Sequence, residues 1–168
     1  MPKDYKTVCS HCGQLIQGQL PALAFAAPAA WNDNDEHKYG YSLGSDFCTI
    51  DNQYFFIRVV LRIPIIDSED SLEWGVWVSL SEKNFKRYGK VYGTDAELEE
   101  EPYFGWLANE LPTYPDCSRI ETYAHLRGGG LRPMLELNHD NLHPLCQDQH
   151  NGVSLGRAHE LAQFAGID

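Results

Sequence analysis

Two cysteines near the N-terminus have the spacing of a metal-binding turn. Cys9 and Cys12 lie in the sequence Cys-Ser-His-Cys-Gly. Two thiolates separated by two residues can bind the same tetrahedral zinc ion, and Gly13 relieves the backbone of the tight turn that carries them. Cys48, beside a predicted hairpin, is the best candidate for a third zinc ligand. The fourth ligand stays open among His11, His37, Cys117 and Cys146.

Two other interpretations of this motif remain open. A redox dithiol would have both cysteines at the start of a helix that follows a strand, whereas here Gly13 follows at once and Pro21 comes soon after. Alternatively, Cys9 and Cys12 occupy a turn without any ligand, and Cys48 is a small buried apolar residue. We take zinc as the working hypothesis.

A second group of chemically active side chains lies between His125 and Gly152. This segment holds four of the seven histidines together with arginines and a carboxylate, the side chains from which binding and catalytic sites are built. Arg132 and Glu136 fall on one face of a predicted strand, so they can share a cleft or form an ion pair with each other. We predict ligand-binding roles for five residues: His125, Arg132, Glu136, His143 and Gln149.

Most of the secondary-structure elements that the sequence predicts around these candidate residues are strands. Runs of β-branched and aromatic residues predict strands over 47–50, 54–66 and 74–80, the first two joined by a turn at Asp51-Asn52. Two more strands, over 119–127 and 131–137, flank the glycines at 128–130. We assign Trp74, Trp77 and Trp106 to the core.

Helices are expected at three places. Ser81 can cap a helix from Glu82 to about Tyr88. His143-Pro144 suits the first turn of another helix, and apolar residues at helical spacing predict a closing helix over 154–164. Successive strands with inserted helices predict an α+β fold with a mainly antiparallel sheet.

Length and composition indicate a single folded domain. The chain has 168 residues, of which 43% are hydrophobic and 22% are charged, and no internal repeat or low-complexity linker interrupts it. We therefore predict one domain over 1–168, with a Cys-knuckle region at 1–50 followed by sheet and helices at 51–168.

Charge and cysteine usage limit the partners and the compartment. The formal net charge is -11, which would repel nucleic acid and anionic lipid, so a protein or a small molecule is the expected partner. No apolar run approaches the ~20 residues of a membrane helix. Five cysteines at irregular spacing do not suit a disulfide framework, and the apolar stretch at 20–31 is broken by prolines, so we expect a cytoplasmic protein.

Several motifs resemble those of the domain of unknown function 2199 family, whose members are uncharacterised and mostly bacterial proteins. The matching segments are CxxCG at 9–13, CTID at 48–51, IPI at 63–65, WGVWVSLS at 74–81, YFGWL at 103–107, LPTYP at 111–115, RP with EL over 132–137, and HPL at 143–145. The resemblance spans almost the whole chain. It implies a single domain in which Cys9, Cys12 and Cys48 form one cluster, and it implies no particular activity.

These observations favour a zinc-stabilised module that binds a protein or a small ligand without turnover. One alternative is a hydrolase in which Arg132 and Glu136 face His125 or His143, because general acid–base catalysis needs such groups within hydrogen-bonding reach. Another is an immunity-type or regulatory protein whose acidic surface blocks a basic partner.

Overall fold

The N-terminal residues form a small antiparallel hairpin. The structure, a computed structural model, describes residues 5–10, 12–18 and 20–164. Strand β1 (Tyr5–Val8) pairs with β2 (Leu15–Gly18) as a two-stranded sheet of its own. The predicted strand that leads into the cysteine motif is thus confirmed, and the motif itself forms the connection between the two strands.

A long antiparallel hairpin is the centre of the second sheet. Strand β6 (Tyr54–Pro64) pairs with β7 (Ser71–Leu80) over ten residues, and β5 (Phe47–Ile50) pairs with the start of β6. Asp51 and Asn52 adopt positive φ angles of 54° and 50° between β5 and β6, a conformation that Asn and Asp tolerate best among residues with a side chain. The predicted strands and turn over 47–80 are therefore confirmed.

Three further strands close this sheet into a barrel. Strand β8 (Tyr103–Leu107) joins β7 to β9 (Glu121–His125), and β9 is antiparallel to β10 (Met134–Leu137). Strand β10 then pairs with β6 in parallel, Met134 beside Val60 and Leu135 beside Leu61. The order β6-β7-β8-β9-β10-β6 is a closed five-stranded barrel. The α+β class is confirmed, but the sheet is mixed because the strand pair that closes it is parallel.

Two short strands extend the sheet at its edges. Strand β3 (Leu23–Ala24) pairs in parallel with β7, and β4 (Ser42–Leu43) pairs with β5. We expected a Cys-knuckle region at 1–50 and the sheet and helices at 51–168. Strand β5 ends at residue 50 and is hydrogen-bonded to β6, so the sheet includes residues on both sides of that boundary.

Three α-helices pack around the barrel: α1 (Glu82–Val91), α2 (Pro144–Asn151) and α3 (Leu155–Ala162). Ser81 caps α1, as predicted, by accepting a hydrogen bond from the backbone N–H of Asn84 at 3.1 Å. Short 3₁₀ turns form at Asp33–Asp35 and Asp95–Glu99. None of the helices in the described part of the chain is both long and apolar enough to span a bilayer.

The barrel interior is the main hydrophobic core. Because side chains alternate across a strand, every second residue of the barrel strands points inward. Trp74 and Trp77 are fully buried as predicted, Trp77 beneath β3 on the outer side of the sheet. The assignment of Trp106 to the core is wrong: it is 41% exposed, because Tyr103, Gly105 and Leu107 occupy the inward positions of β8.

Candidate metal centre

The turn between β1 and β2 holds the two N-terminal cysteines. The backbone N–H of Cys9 donates to the carbonyl of Gln14 at 2.7 Å, and the N–H of Gly13 donates back to the carbonyl of Cys9 at 2.9 Å. Gly13 adopts a φ of +74°, which residues with a Cβ rarely do. Cys9 is buried and Cys12 is exposed, so the turn presents one inner and one outer thiol.

Helix α3 packs against this turn and contributes a histidine. Ser154 caps the helix by accepting a hydrogen bond from the N–H of Arg157. On the face that meets the hairpin, the carbonyl of Gly156 lies 3.9 Å from the Cys9 sulfur. One turn further along, His159 Nδ1 lies 3.8 Å from the Cys12 sulfur. The i, i+3 spacing places both residues over the two cysteines.

Cys9, Cys12 and His159 have the donor types and separations of a zinc site. One ligand atom from each residue lies within 4.8 Å of the other two. Zinc bonds of about 2.3 Å to sulfur and about 2.0 Å to nitrogen, at tetrahedral angles, imply about 3.6 Å between a sulfur and a nitrogen ligand and about 3.8 Å between two sulfurs. The 3.8 Å separation of Cys12 and His159 is close to this value.

The expected third ligand, Cys48, lies elsewhere. It sits in β5 opposite Phe56 and packs with Phe56 and Trp77 in a hydrophobic cluster separate from that of Cys9. Burial raises the pKa of its thiol to about 12, so it stays protonated and apolar. This differs from the ligand set predicted from the sequence: the structure groups His159, and not Cys48, with Cys9 and Cys12, because the pairing of β5 with β6 fixes Cys48 on another part of the sheet.

The residues considered for the fourth position are also distributed over the molecule. Cys117 and Cys146 are buried in the main core, where burial raises the pKa of each thiol to about 11. His37 lies in an exposed turn, and His11 lies outside the described residues. Among the described residues, the group around Cys9 has three members.

The residues predicted to bind a ligand do not form one site. Arg132 pairs with Asp46 at 2.9 Å instead of Glu136, because it precedes β10 at the edge where β5 begins. Glu136 lies in β10 and its carboxylate is 3.8 Å from His125 Nε2 in β9. The cleft that Arg132 and Glu136 were expected to share is therefore replaced by two separate charge pairs.

His143 and Gln149 have structural partners. His143-Pro144 lies at the start of α2, as predicted, and His143 caps the helix with Nδ1 accepting from the N–H of Leu145 at 3.1 Å. Its Nε2 lies 3.1 Å from the carbonyl oxygen of Pro115 and 3.0 Å from that of Asp116. The Gln149 side chain accepts from the N–H of Leu137 and donates to the carbonyl of Leu135, so it fastens α2 to β10.

Comparison with known families agrees with the motifs. A family model described as an uncharacterized protein conserved in bacteria, DUF2199, matches residues 8–153 of this chain. The chain belongs to the DUF2199 family. No curated protein and no solved structure matches it. The resemblance inferred from the sequence motifs is thus confirmed at the level of the family.

Sequence reasoning missed His159 in this DUF2199 chain. His159 is 147 residues from Cys12 and lies beyond the segment that the family model matches, so no spacing rule relates the two. The sequence does predict the closing helix, and within α3 the side chains of a type that can bind metal are His159 and Glu160. That short list could have suggested His159 as a candidate ligand. Only the tertiary packing of α3 on the hairpin brings the imidazole to the thiols.

Proposed function

We propose that this protein is a zinc-stabilised binding module without turnover, in which Cys9, Cys12 and His159 bind the zinc ion. The observation that carries the proposal is the 3.8 Å separation of the Cys12 and His159 ligand atoms, with the Cys9 sulfur within 4.8 Å of both. Two thiolates and one imidazole are a donor set that zinc prefers.

The role of this zinc is structural. The hairpin formed by β1 and β2 buries only Tyr5, Cys9 and Ile16 in its own cluster, and a two-stranded hairpin alone is marginally stable in water. A zinc ion shared with α3 ties the two ends of the chain together across 147 residues. Binding only to the docked form of the hairpin then stabilises that form by mass action, by about 2.7 kcal/mol at a free zinc concentration of a hundred times Kd.

The separation of the charged residues supports binding without turnover. The hydrolase alternative needs Arg132 and Glu136 to face His125 or His143 at one reaction centre. Arg132 is paired with Asp46, and both ring nitrogens of His143 face backbone groups. His125 and Glu136 instead face each other across β9 and β10, with 3.8 Å between His125 Nε2 and the Glu136 carboxylate.

Metal content of untagged protein, purified without chelator, tests the metal assignment. We expect about one zinc ion per chain, and a loss of most of it in His159→Ala and in Cys12→Ser. His150→Ala is the matched control for the first variant, since His150 is an exposed helical histidine near the end of α2. It should keep the metal.

Cys48→Ala distinguishes between two possible third ligands of Cys9 and Cys12, namely His159, which the proposal names, and Cys48, which the sequence suggested. Retention of zinc in this variant supports His159 as the third ligand, whereas loss of zinc in Cys48→Ala but not in His159→Ala contradicts it. Cobalt substitution gives a second measurement on the unmutated chain, because tetrahedral thiolate coordination has a distinct visible spectrum. A metal-free protein that takes up neither ion overturns the proposal.

A further inference from the structure

An open pocket lies beside Trp106 on the outer side of the barrel. Its volume is about 540 Å³, within the range of about 300–1,000 Å³ that small-molecule sites occupy. It contains none of the metal-site residues and none of the five residues predicted to bind a ligand. Its walls combine one aromatic ring with charged and amide side chains: Trp106, Arg119, Glu121, Asn138, Asp140 and Asn141.

The aromatic wall of the pocket belongs to an exposed stripe on β8 and β9. Trp106 contacts Phe104 edge to face at 5.6 Å between ring centroids, and Phe104 contacts Tyr123 at 5.8 Å. All three rings are about two-fifths exposed. Large aromatic side chains grouped on a surface indicate an interaction site, whereas single exposed ones do not. Within the stripe, Trp106 is the ring that lines the pocket.

The amide side chains of the pocket are fixed before any ligand binds. The Oδ1 atoms of Asn138 and Asn141 accept the backbone N–H groups of Asp140 and His143 at 3.0 and 2.9 Å. The turn that carries them is bonded to β9, because the N–H of Asn138 donates to the carbonyl of Glu121. Asn138 Nδ2 lies 3.4 Å from Glu121 Oε2, which leaves its second hydrogen for a ligand, and Asn141 offers its Nδ2 group from the same preorganised turn, which lowers the entropy cost of binding.

The charge of the pocket selects against anions. Arg119 contributes one positive charge, and Glu121 and Asp140 contribute two negative charges, in a chain whose net charge is -11. A phosphate or carboxylate ligand would meet this excess of negative charge. A neutral ligand rich in hydroxyl groups fits better, because each hydroxyl both donates to a carboxylate and accepts from an amide or guanidinium N–H.

We propose that this pocket binds a neutral saccharide, with one pyranose ring stacked on Trp106. The ring's C–H groups carry partial positive charge and face the electron-rich surface of the indole. Its hydroxyls donate to Glu121 and Asp140 and accept from Asn138, Asn141 and Arg119. The inference rests on the proposed binding function and names its ligand class and its surface.

Titration with defined trisaccharides, followed through the indole N–H resonance of Trp106 and by calorimetry, tests the inference. The probes are cellotriose, chitotriose, mannotriose, galactotriose and xylotriose, with adenosine as a flat ligand of another class. At least one trisaccharide should bind, and Trp106→Ala should weaken its binding about tenfold or more. Tyr54→Ala is the matched control, because Tyr54 is an exposed aromatic residue outside the stripe that does not line the pocket, and it should keep the affinity.

Asp140→Asn provides a second check, since it removes one anionic acceptor of the sugar hydroxyls while leaving the aromatic wall in place. It should weaken binding of the same trisaccharide without altering the melting temperature. The inference is overturned if no trisaccharide shifts the Trp106 resonance at about 10 mM, if Tyr54→Ala and Trp106→Ala weaken binding equally, or if adenosine alone binds. Zinc content measured on the same samples separates the two proposals, because Trp106→Ala should retain its metal.

Discussion

At the scale of single residues, Glu97 shows how a buried carboxyl group organises a glycine-rich segment. Its side chain has no exposed surface, and Oε2 accepts the backbone N–H groups of Gly93 and Gly130, both at 2.8 Å. Gly130 ends a run of three glycines with positive φ angles just before β10. Without side chains of their own, these glycines depend on a neighbouring group to fix their position.

Replacement of Glu97 by alanine should destabilise the protein by about 2 kcal/mol or more, because the partly buried N–H groups of Gly93 and Gly130 lose their acceptor at about 1 kcal/mol or more each. Urea unfolding measures the change. Glu99→Ala is the control, since Glu99 lies in the same 3₁₀ turn but is exposed, and it should change stability by less than about 0.5 kcal/mol. Equal effects of the two substitutions would contradict this account of Glu97.

Individual residues also show which features of the structure the sequence could predict and which it could not. The cap at Ser81 and the start of α2 at His143-Pro144 were predicted because both signals depend on a few neighbouring residues. Trp106 was misassigned because residues 103–107 were treated as an aromatic cluster, although strict alternation along a strand would have placed its side chain outward. His159 could not be predicted, because its proximity to Cys12 is a property of the packed fold.

At the scale of elements, the β1–β2 hairpin is attached to the rest of the molecule by α3 and by Tyr5, whose hydroxyl donates to the Asp70 carboxylate at 2.9 Å. Its strands share four residue pairs with each other and none with the barrel sheet. Helix α3 contacts both parts of the molecule: Ala158 and Leu161 pack in the barrel core, while Leu155 also packs against the hairpin cluster. The proposed metal ligands lie at this junction, so zinc binding and hairpin stability should be coupled.

Removal of zinc with a chelator should therefore accelerate amide hydrogen exchange in β1 and β2 by about tenfold or more, while exchange in β6 and β7 stays unchanged. Mass spectrometry of exchanged peptides measures both regions in one experiment. In His159→Ala the hairpin should exchange rapidly from the start and should not respond to chelator, whereas His150→Ala should behave like the unmodified chain. Uniform acceleration over the whole molecule would instead indicate that zinc acts on the barrel.

At the scale of the whole molecule, the pairing of strands that are far apart in the chain is the feature that the sequence does not predict. The hairpins β5–β6 and β9–β10 follow from nearby turns and alternating residues. Closure of the barrel depends on β10 lying parallel to β6, about seventy residues earlier in the chain, and no local signal specifies a partner at that distance. The barrel, and with it the position of the pocket beside Trp106, therefore emerges only in the folded chain.

The core of the closed molecule contains ionisable groups that must remain neutral. Burial raises the pKa of Cys48 to about 12 and the pKa values of Cys117 and Cys146 to about 11, from the ordinary value of 9.0. Burial also raises the pKa values of Tyr88, Tyr103 and Tyr114, whose ordinary value is 10.0. For all six groups the folded state holds its protons more tightly than the unfolded state does.

Stability should consequently fall at alkaline pH. The contribution of the three thiols is fully present below pH 9, where both states are protonated, and is lost as pH rises toward 11–12. Each group lowers the free energy of unfolding by at most about 1.4 kcal/mol per pH unit within its interval. Urea unfolding between pH 8 and about 10.5, with chelator present to remove metal effects, should give a steeper decline for the unmodified chain than for a Cys117→Ala/Cys146→Ala variant. Parallel declines would show that these two thiols already ionise in the folded state.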